Sequence, residues 1–461
     1  MYRFRSVESL IGKYQELEKQ QIYFASVDEL NDPLEGTRQY FWKGDRIIWM
    51  NFFKHYLLCL EHGVFLTRLL KEDQVISQKD IPIYKSIASL PTEIYKERIG
   101  KIYELFFSDK FVQSYLELII NNPYKIYKDE LHVHLRILSN RAIKCISEID
   151  VKSGLIPPNE EVEINKVEEN INININFENM WLYSDETQYS ELIHAINDTL
   201  KQLDTQLLFK YRDSPKLQSV YIEFPQLYLN AVTELTYPKA YVACFMDNCS
   251  NSSIWGTYGN NHTGVCLKFK TSTNNPMLSL KPCSTNLALL NNNYLDNPFY
   301  KIEYTSNFSE MDFFCNLGRL TLSQIIEQWY TDEKGNYSIC SEELLNHEDD
   351  WREQYWNAFQ QAYLKKTPDW SHEREFRLIV SSVLDSFNDR EHRIFEYKFE
   401  DLDSIIFGIK TSKTARAEII DVIYRKCKKY GRKNFEFYEM TYSLNDNRLI
   451  QRKMYTININ E

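Results

Sequence analysis

Three groups of residues in this chain combine types and spacings that could do chemistry. The tightest is Trp370-Ser371-His372-Glu373-Arg374-Glu375-Phe376-Arg377-Leu378. Drawn as a strand, its alternation predicts Glu373, Glu375 and Arg377 on one face and Arg374, Phe376 and Leu378 on the other. Carboxylates lining a dry cleft stabilise the positive charge that develops when a glycosidic bond breaks, the nicotinamide–ribose bond among them. Arg377 would keep one of them ionised and oriented. The same letters also describe a solvated salt-bridge ladder, or a helical Glu373–Arg377 pair contributing only ~0.3–0.5 kcal/mol.

The second group runs from Cys244-Phe245-Met246-Asp247-Asn248 into Ile254-Trp255-Gly256-Thr257-Tyr258, followed by His262 and Gly264-Val265-Cys266. Trp255, Tyr258 and His262 fall three and four residues apart, so one helical segment would present three rings together and hold a flat ligand. The competing reading packs Trp255 and Tyr258 under the following strand and makes His262 a structural, hydrogen-bonded histidine. The third group is Tyr2-Arg3-Phe4-Arg5-Ser6, with Ser26 and Asn31-Asp32-Pro33. Arg3 and Arg5 share a strand face, and a guanidinium fork suits a diphosphate or carboxylate. They serve equally well as surface charges beside an apolar strand face. Pro33 holds Asp32 extended, and Asn31 and Asp32 bond nearby amides, so a turn is predicted there.

Other chemistries find little support. The nine cysteines are scattered without a C-x-x-C pair or zinc spacing, as expected of reduced thiols, and no metal site is predicted. Only 13 glycines occur, and the strand over 404–408 leads to Ile409-Lys410-Thr411-Ser412-Lys413 without a phosphate-loop pattern. A net charge of −11 makes nucleic acid an unexpected partner. The basic run Arg425, Lys426, Lys428, Lys429, Arg432, Lys433 suits a helix end. With charge from the first residues on and no long uncharged apolar run, neither an export signal nor a membrane span is expected, which predicts a cytoplasmic protein.

The elements that must position these groups follow from periodicity. With 461 residues, 43% apolar and 26% charged, the chain reads as globular. A strand over 2–5, a helix over 7–19 and a strand over 22–25 open it. Residues 45–235 are mostly helical, with helices predicted over 47–70, 92–120, 128–149, 189–211 and 219–235. The Asn/Ile alternation at 170–176 suits a partly exposed strand or a linker equally. Strands return at 240–246, 265–270, 301–304, 376–380, 404–408 and 435–441, with helices at 311–332, 349–366 and 415–429. The prediction is an α+β fold: a mixed β-sheet domain with flanking helices, built from 1–44 and 236–461 and interrupted by a large mostly helical insertion at 45–235.

Taken in order, these groups resemble a bacterial family known as domain of unknown function 2971. The resemblance rests on Tyr2, Phe4, Arg5 and Ser6; on Phe24, Ser26, Asn31, Asp32, Pro33 and Glu35; on Trp255, Tyr258, His262, Gly264, Val265 and Cys266; and on Trp370, Glu373, Glu375 and Arg377. It covers about 1–44 and 236–442, and departs at Leu30, where the family has an aromatic residue. The order of the groups is in turn similar to ADP-ribosyltransferases. That likeness implies NAD as substrate, with Arg5 on its diphosphate, Tyr258 or Trp255 stacked on nicotinamide, and Glu375, seconded by Glu373, at the ribosyl cation. Ser26, His262 and Arg377 complete the implied cofactor-binding set. The resemblance also implies an effector of phage defence or a toxin-like system, whose insertion senses a trigger, binds a protein partner or forms homo-oligomers. The alternative is a noncatalytic sensor or assembly module.

Overall fold

A computed structural model describes residues 1–157, 186–272, 274–284, 293–308, 310–445 and 447–459. The fold is α+β and consists of two compact units. The first comprises Met1–Thr37, Pro238–Ser309 and Ala358–Glu461; the second, Arg38–Tyr237 and Glu310–Asn357. The alternation at 170–176 lies outside the described residues.

The first unit is built on an eight-stranded mixed sheet. In chain order its strands are β1 (Tyr2–Arg5), β2 (Ala240–Met246), β3 (Val265–Phe269), β4 (Tyr300–Lys301), β5 (Glu375–Ser381), β6 (Leu402–Phe407), β7 (Asn434–Ser443) and β8 (Arg448–Asn458). Their spatial order is β8-β7-β6-β3-β1-β2-β5-β4. All neighbours are antiparallel except β6 and β7, which the helix Lys413–Tyr430 connects. That helix starts where Ser412 accepts from the Ala415 amide and stops at Gly431, left-handed at φ +67°.

Register decides which side chains share a face. Arg3 and Arg5 stand opposite Leu267 and Val265, whereas Phe4 stands opposite Cys266. One face therefore carries Phe245, Val265, Leu267, Leu378, Ile405 and Phe407 in the main core of the unit. The other carries Phe4, Met246, Trp255, Cys266 and Ile406. Tyr2 and Glu375 both pair with Met246, and Arg377 pairs with Cys244, so Glu375 and Arg377 belong to this second face.

Two expectations for the first unit need correction. The helix over 7–19 is two short helices, Val7–Ile11 and Glu16–Lys19, parted near Gln15, which is left-handed at φ 54°. The strand carrying the paired carboxylates begins only at Glu375. Glu373 ends a 3-10 turn, Pro368–Glu373, and Arg374 follows at φ 50°.

The second unit is the helical one. Its long helices are Arg46–Leu69, Glu93–Ser108, Lys128–Lys152 and Glu186–Lys210. The predicted helix over 92–120 is broken at Asp109, whose carboxylate accepts from the Val112 amide and starts a separate helix, Lys110–Ile120. Residues 310–357 belong to this unit and not to the sheet domain. Glu310–Asp312 pairs in parallel with Gln39–Trp42, and Phe313, Phe314 and Trp329 join Trp42, Trp49 and Phe52 in one aromatic core. The predicted helix over 311–332 shrinks to Leu322–Ile325, continued by a wider turn at Ile326–Tyr330. Asp312 spends its carboxylate on the Phe314 amide and turns the chain directly after the strand.

Candidate functional site

The second face of the sheet carries a buried centre of five charged side chains. Glu375 and Arg377, two residues apart on β5, point the same way by strand alternation. Arg377 Nε donates to Glu375 Oε1 at 2.6 Å, Nη2 to Glu375 Oε2 at 3.1 Å, and Nη1 to the Tyr363 carbonyl at 2.8 Å. Nη2 also donates to Glu35. Lys366 Nζ fills the space between the carboxylates, 2.9 Å from Glu35 Oε1, 2.7 Å from Glu373 Oε2 and 3.3 Å from Glu375 Oε2. None of the five is more than 5% exposed.

Local structure delivers each member. Asp32 accepts from the Leu34 amide at 2.9 Å and lies 3.4 Å from the Thr367 hydroxyl, so the Asn31-Asp32-Pro33 turn presents Glu35 inward. Gly36 follows at φ +66°, and a Cβ there would come within 2.3 Å of Val27, so only glycine lets the chain leave the centre this way. Beside Glu35 lies a cavity of about 440 Å³, lined by Leu30, Asn31 and Pro33 among others. Lys366 ends a two-residue strand paired in parallel with Glu303–Tyr304. From that strand the Tyr304 hydroxyl accepts from the Glu375 amide at 2.8 Å.

Charge in the centre does not balance. Among the described residues, Glu35, Glu373 and Glu375 are paired with Lys366 and Arg377 alone. Both oxygens of Glu35 and of Glu375 are held by these cations. Glu373 is held through Oε2 alone, and its Oε1 is buried with no hydrogen-bond partner among the described residues. Burial opposes ionisation of Glu375, but Arg377 and then Lys366 overcome it and bring the carboxyl down to about 2. Burial pushes Glu35 the other way, above the usual carboxylate range. It also raises Cys244, whose thiol stands beside Glu375, and Tyr258, whose hydroxyl stands beside the Glu373 carboxylate. Trp370 covers Lys366, its ring centroid 4.6 Å from Nζ. A buried carboxylate oxygen without a partner is costly, and a donor or a positive charge placed against it recovers that cost.

The structure gathers some of the expected residues and disperses others. Glu373, Glu375, Arg377 and Tyr258 meet in the centre. Arg5 lies on the opposite sheet face, bound through both Nε and Nη2 to Glu16, because its register partner is the core residue Val265. Trp255 is fully buried, donates to the Cys249 carbonyl at 2.7 Å and meets Phe4 edge-on at 4.9 Å, so it packs in the core. Trp255, Tyr258 and His262 share no continuous helix, since the helix is Ser252–Thr257. His262 follows at φ 70° with its carbonyl accepting from the Lys410 amide, and burial, then the Lys410 ammonium, lowers its ring below the usual imidazole value. Ser26 caps the 3-10 turn Val27–Glu29, exchanging bonds with Glu29. Asn31 and Asp32 form the turn beside the site. Lys366 was not anticipated, since nothing in its neighbours marks a lysine for burial. Glu35 carried a visible signal, the Asp32 turn three residues earlier.

Among the described residues no group of His, Cys, Asp and Glu is arranged to hold a metal ion, and no helix is long and apolar enough to cross a membrane. Residues 254–378 match the model of a family described as "Protein of unknown function (DUF2971)". The match includes Tyr258, Lys366, Glu373, Glu375 and Arg377, and leaves out Glu35 and the N-terminal strand. No curated protein and no solved structure matches the chain.

Proposed function

We propose that the buried centre acts on a glycosidic bond whose rupture develops positive charge, the N-ribosyl bond of NAD, in glycohydrolase or ADP-ribosyl-transfer chemistry. The observation that carries this reading is the uncompensated carboxylate of Glu373, with Oε1 buried and unpartnered in a centre of three carboxylates and two cations. In the reaction, the C1′–N bond breaks, its electron pair leaves with nicotinamide, and positive charge appears on the ribosyl ring. Glu373 Oε1 is the group to face that ring, because an ionised carboxylate fixed in a low dielectric stabilises such charge without reorganising. An attacking water or acceptor hydroxyl then closes C1′ and loses its proton to solvent or to the carboxylate.

The roles differ from those implied by resemblance. Glu375 is a positioning residue, because both its oxygens are committed to Arg377 and Lys366. Arg377, Lys366 and Glu35 hold the frame, and Tyr258 and Trp370 wall the approach. Arg5, Trp255 and His262 have no part in it. A defence or toxin-like setting, with recognition of a partner by the helical unit, fits this chemistry and belongs to the same proposal. The test is nicotinamide release from NAD by purified protein: wild type releases it, and Glu373→Gln lowers the rate by at least about 100-fold. Well-folded wild type that releases none, with or without cell lysate as acceptor source, overturns the reading.

One observation favours a noncatalytic module instead. The whole centre is almost solvent-free, as a purely structural ion cluster would be. In that case Glu373→Gln leaves the biological effect intact.

A further inference from the structure

Within the helical unit a cleft of about 640 Å³ opens between the helices Arg46–Leu69 and Glu93–Ser108, the loop at 85–88 and the segment 327–333. Its volume lies in the range of small-molecule sites. Met50, Leu58, Tyr103 and Phe107 supply an apolar and aromatic wall. Gly100 sits within the second helix, where glycine weakens the helix by about 1 kcal/mol relative to alanine. A Cβ added there meets nothing within 4 Å, so its missing side chain leaves open space on the cleft.

The polar groups of the cleft sort into spent and unspent. Lys54 pairs with Glu333 at 2.7 Å, and Asp332 accepts from the amides of Lys334 and Asn336. His55 bonds the Tyr228 hydroxyl and the Ile83 carbonyl, and burial holds it at about 4, so it adds no charge to the wall at neutral pH. Glu104 and Glu327 remain, with no ion pair among the described residues, against the ammonium of Lys85 alone. Thr331 Oγ1 is buried in the same wall with no hydrogen-bond partner among the described residues. The unspent groups are thus mostly acceptors and mostly negative, beside aromatic faces that attract cations.

We propose that this cleft binds a small amphipathic organic cation: an ammonium group on a flat or short apolar body. The ammonium is received by Glu104, Glu327 and the Thr331 hydroxyl, and the body lies along Tyr103 and Phe107 over Gly100. The proposal is independent of the chemistry of the sheet unit.

Calorimetric titration of the full chain with 2-phenylethylammonium, and separately with phenylacetate, tests it. The cation binds with a Kd at or below about 1 mM, and phenylacetate binds at least about tenfold more weakly. The double variant Glu104→Gln/Glu327→Gln, altering exposed side chains only, weakens the cation about tenfold and flattens its salt dependence. Gly100→Leu fills the cleft and weakens it by a similar factor, whereas Gly100→Ala leaves the fold intact and serves as its control. Phenylacetate binding as well as the cation, absence of binding by both, or cation binding unchanged in the double variant overturns the proposal.

Discussion

Each unit buries a cluster of charges, and the two clusters are built to different rules. In the helical unit Glu61 and Asp150, each 1% exposed, meet Arg98 and Arg68. Two carboxylates face two guanidiniums, and every carboxylate oxygen has a donor: Arg98 and Tyr95 for Glu61, Arg98 and Arg68 for Asp150. In the sheet unit three carboxylates face two cations, and Glu373 Oε1 has none. Burial and ion pairing are common to both and so distinguish nothing. What differs is the bookkeeping of charge and donors: the closed cluster holds helices together, and the open one retains an unspent group.

The comparison can be broken most forcefully by removing the bridging guanidinium from either cluster. Arg377→Met leaves Glu35 and Glu375 to Lys366 alone, and Arg98→Met leaves Glu61 with only the Tyr95 hydroxyl and Asp150 with only Arg68. Each substitution is expected to cost about 3–5 kcal/mol in denaturant unfolding of the unit concerned. A loss below about 1 kcal/mol in either would show that its cluster does not lock the fold.

Acid titration separates the units next. Glu375 sits at about 2 in the fold against an ordinary 4.5, so its contribution is complete above the ordinary value and is lost as pH falls towards 2. His55 is held neutral, at about 4 against 6.5, so its contribution is intact above 6.5 and is lost as pH falls from there towards 4. Each amounts to about 3 kcal/mol by linkage. Unfolding followed from pH 8 to 2 is expected to show two limbs, with His55→Gln removing the upper and Glu375→Gln the lower. A stability profile unchanged by either substitution contradicts the assigned environments.

Charge-neutral isosteres sharpen the contrast. Glu61→Gln weakens fully made charged bonds and is expected to lose about 1.5–3 kcal/mol. Glu373→Gln removes the surplus charge and is expected to leave stability unchanged or higher. Smallest is Gly100→Ala, expected to raise the stability of the helical unit by at most about 1 kcal/mol, read from its unfolding midpoint.

Much of the architecture was legible in the sequence. The long helices of the 45–235 region and the strands from 240 onward follow from periodicities of 3.6 and 2, which report burial on one side of an element. Pairing is another matter. Residues 311–332 read as helix because Phe313, Phe314, Leu317 and Ile325 recur at helix-like intervals, yet Glu310–Asp312 is a strand added beside Gln39–Trp42, a pairing distant in sequence that no local pattern encodes. The site shows the same division. Glu375 and Arg377 share a face by alternation alone, and the sequence indicates that. Which face Arg5 shares with them depends on register through β2 and β3, and the alternation that unites Arg3 with Arg5 turns both towards the opposite core. Lys366 reaches the carboxylates only because a two-residue strand docks on Glu303–Tyr304.

The central claim is that the unspent carboxylate is the working one. The direct measurement takes a single preparation of Glu373→Gln and records both its unfolding midpoint and its release of nicotinamide from NAD, beside wild type. The account predicts a midpoint equal to or above wild type together with release reduced at least about 100-fold. A variant that releases nicotinamide as wild type does, or one that unfolds as readily as Arg377→Met, contradicts it.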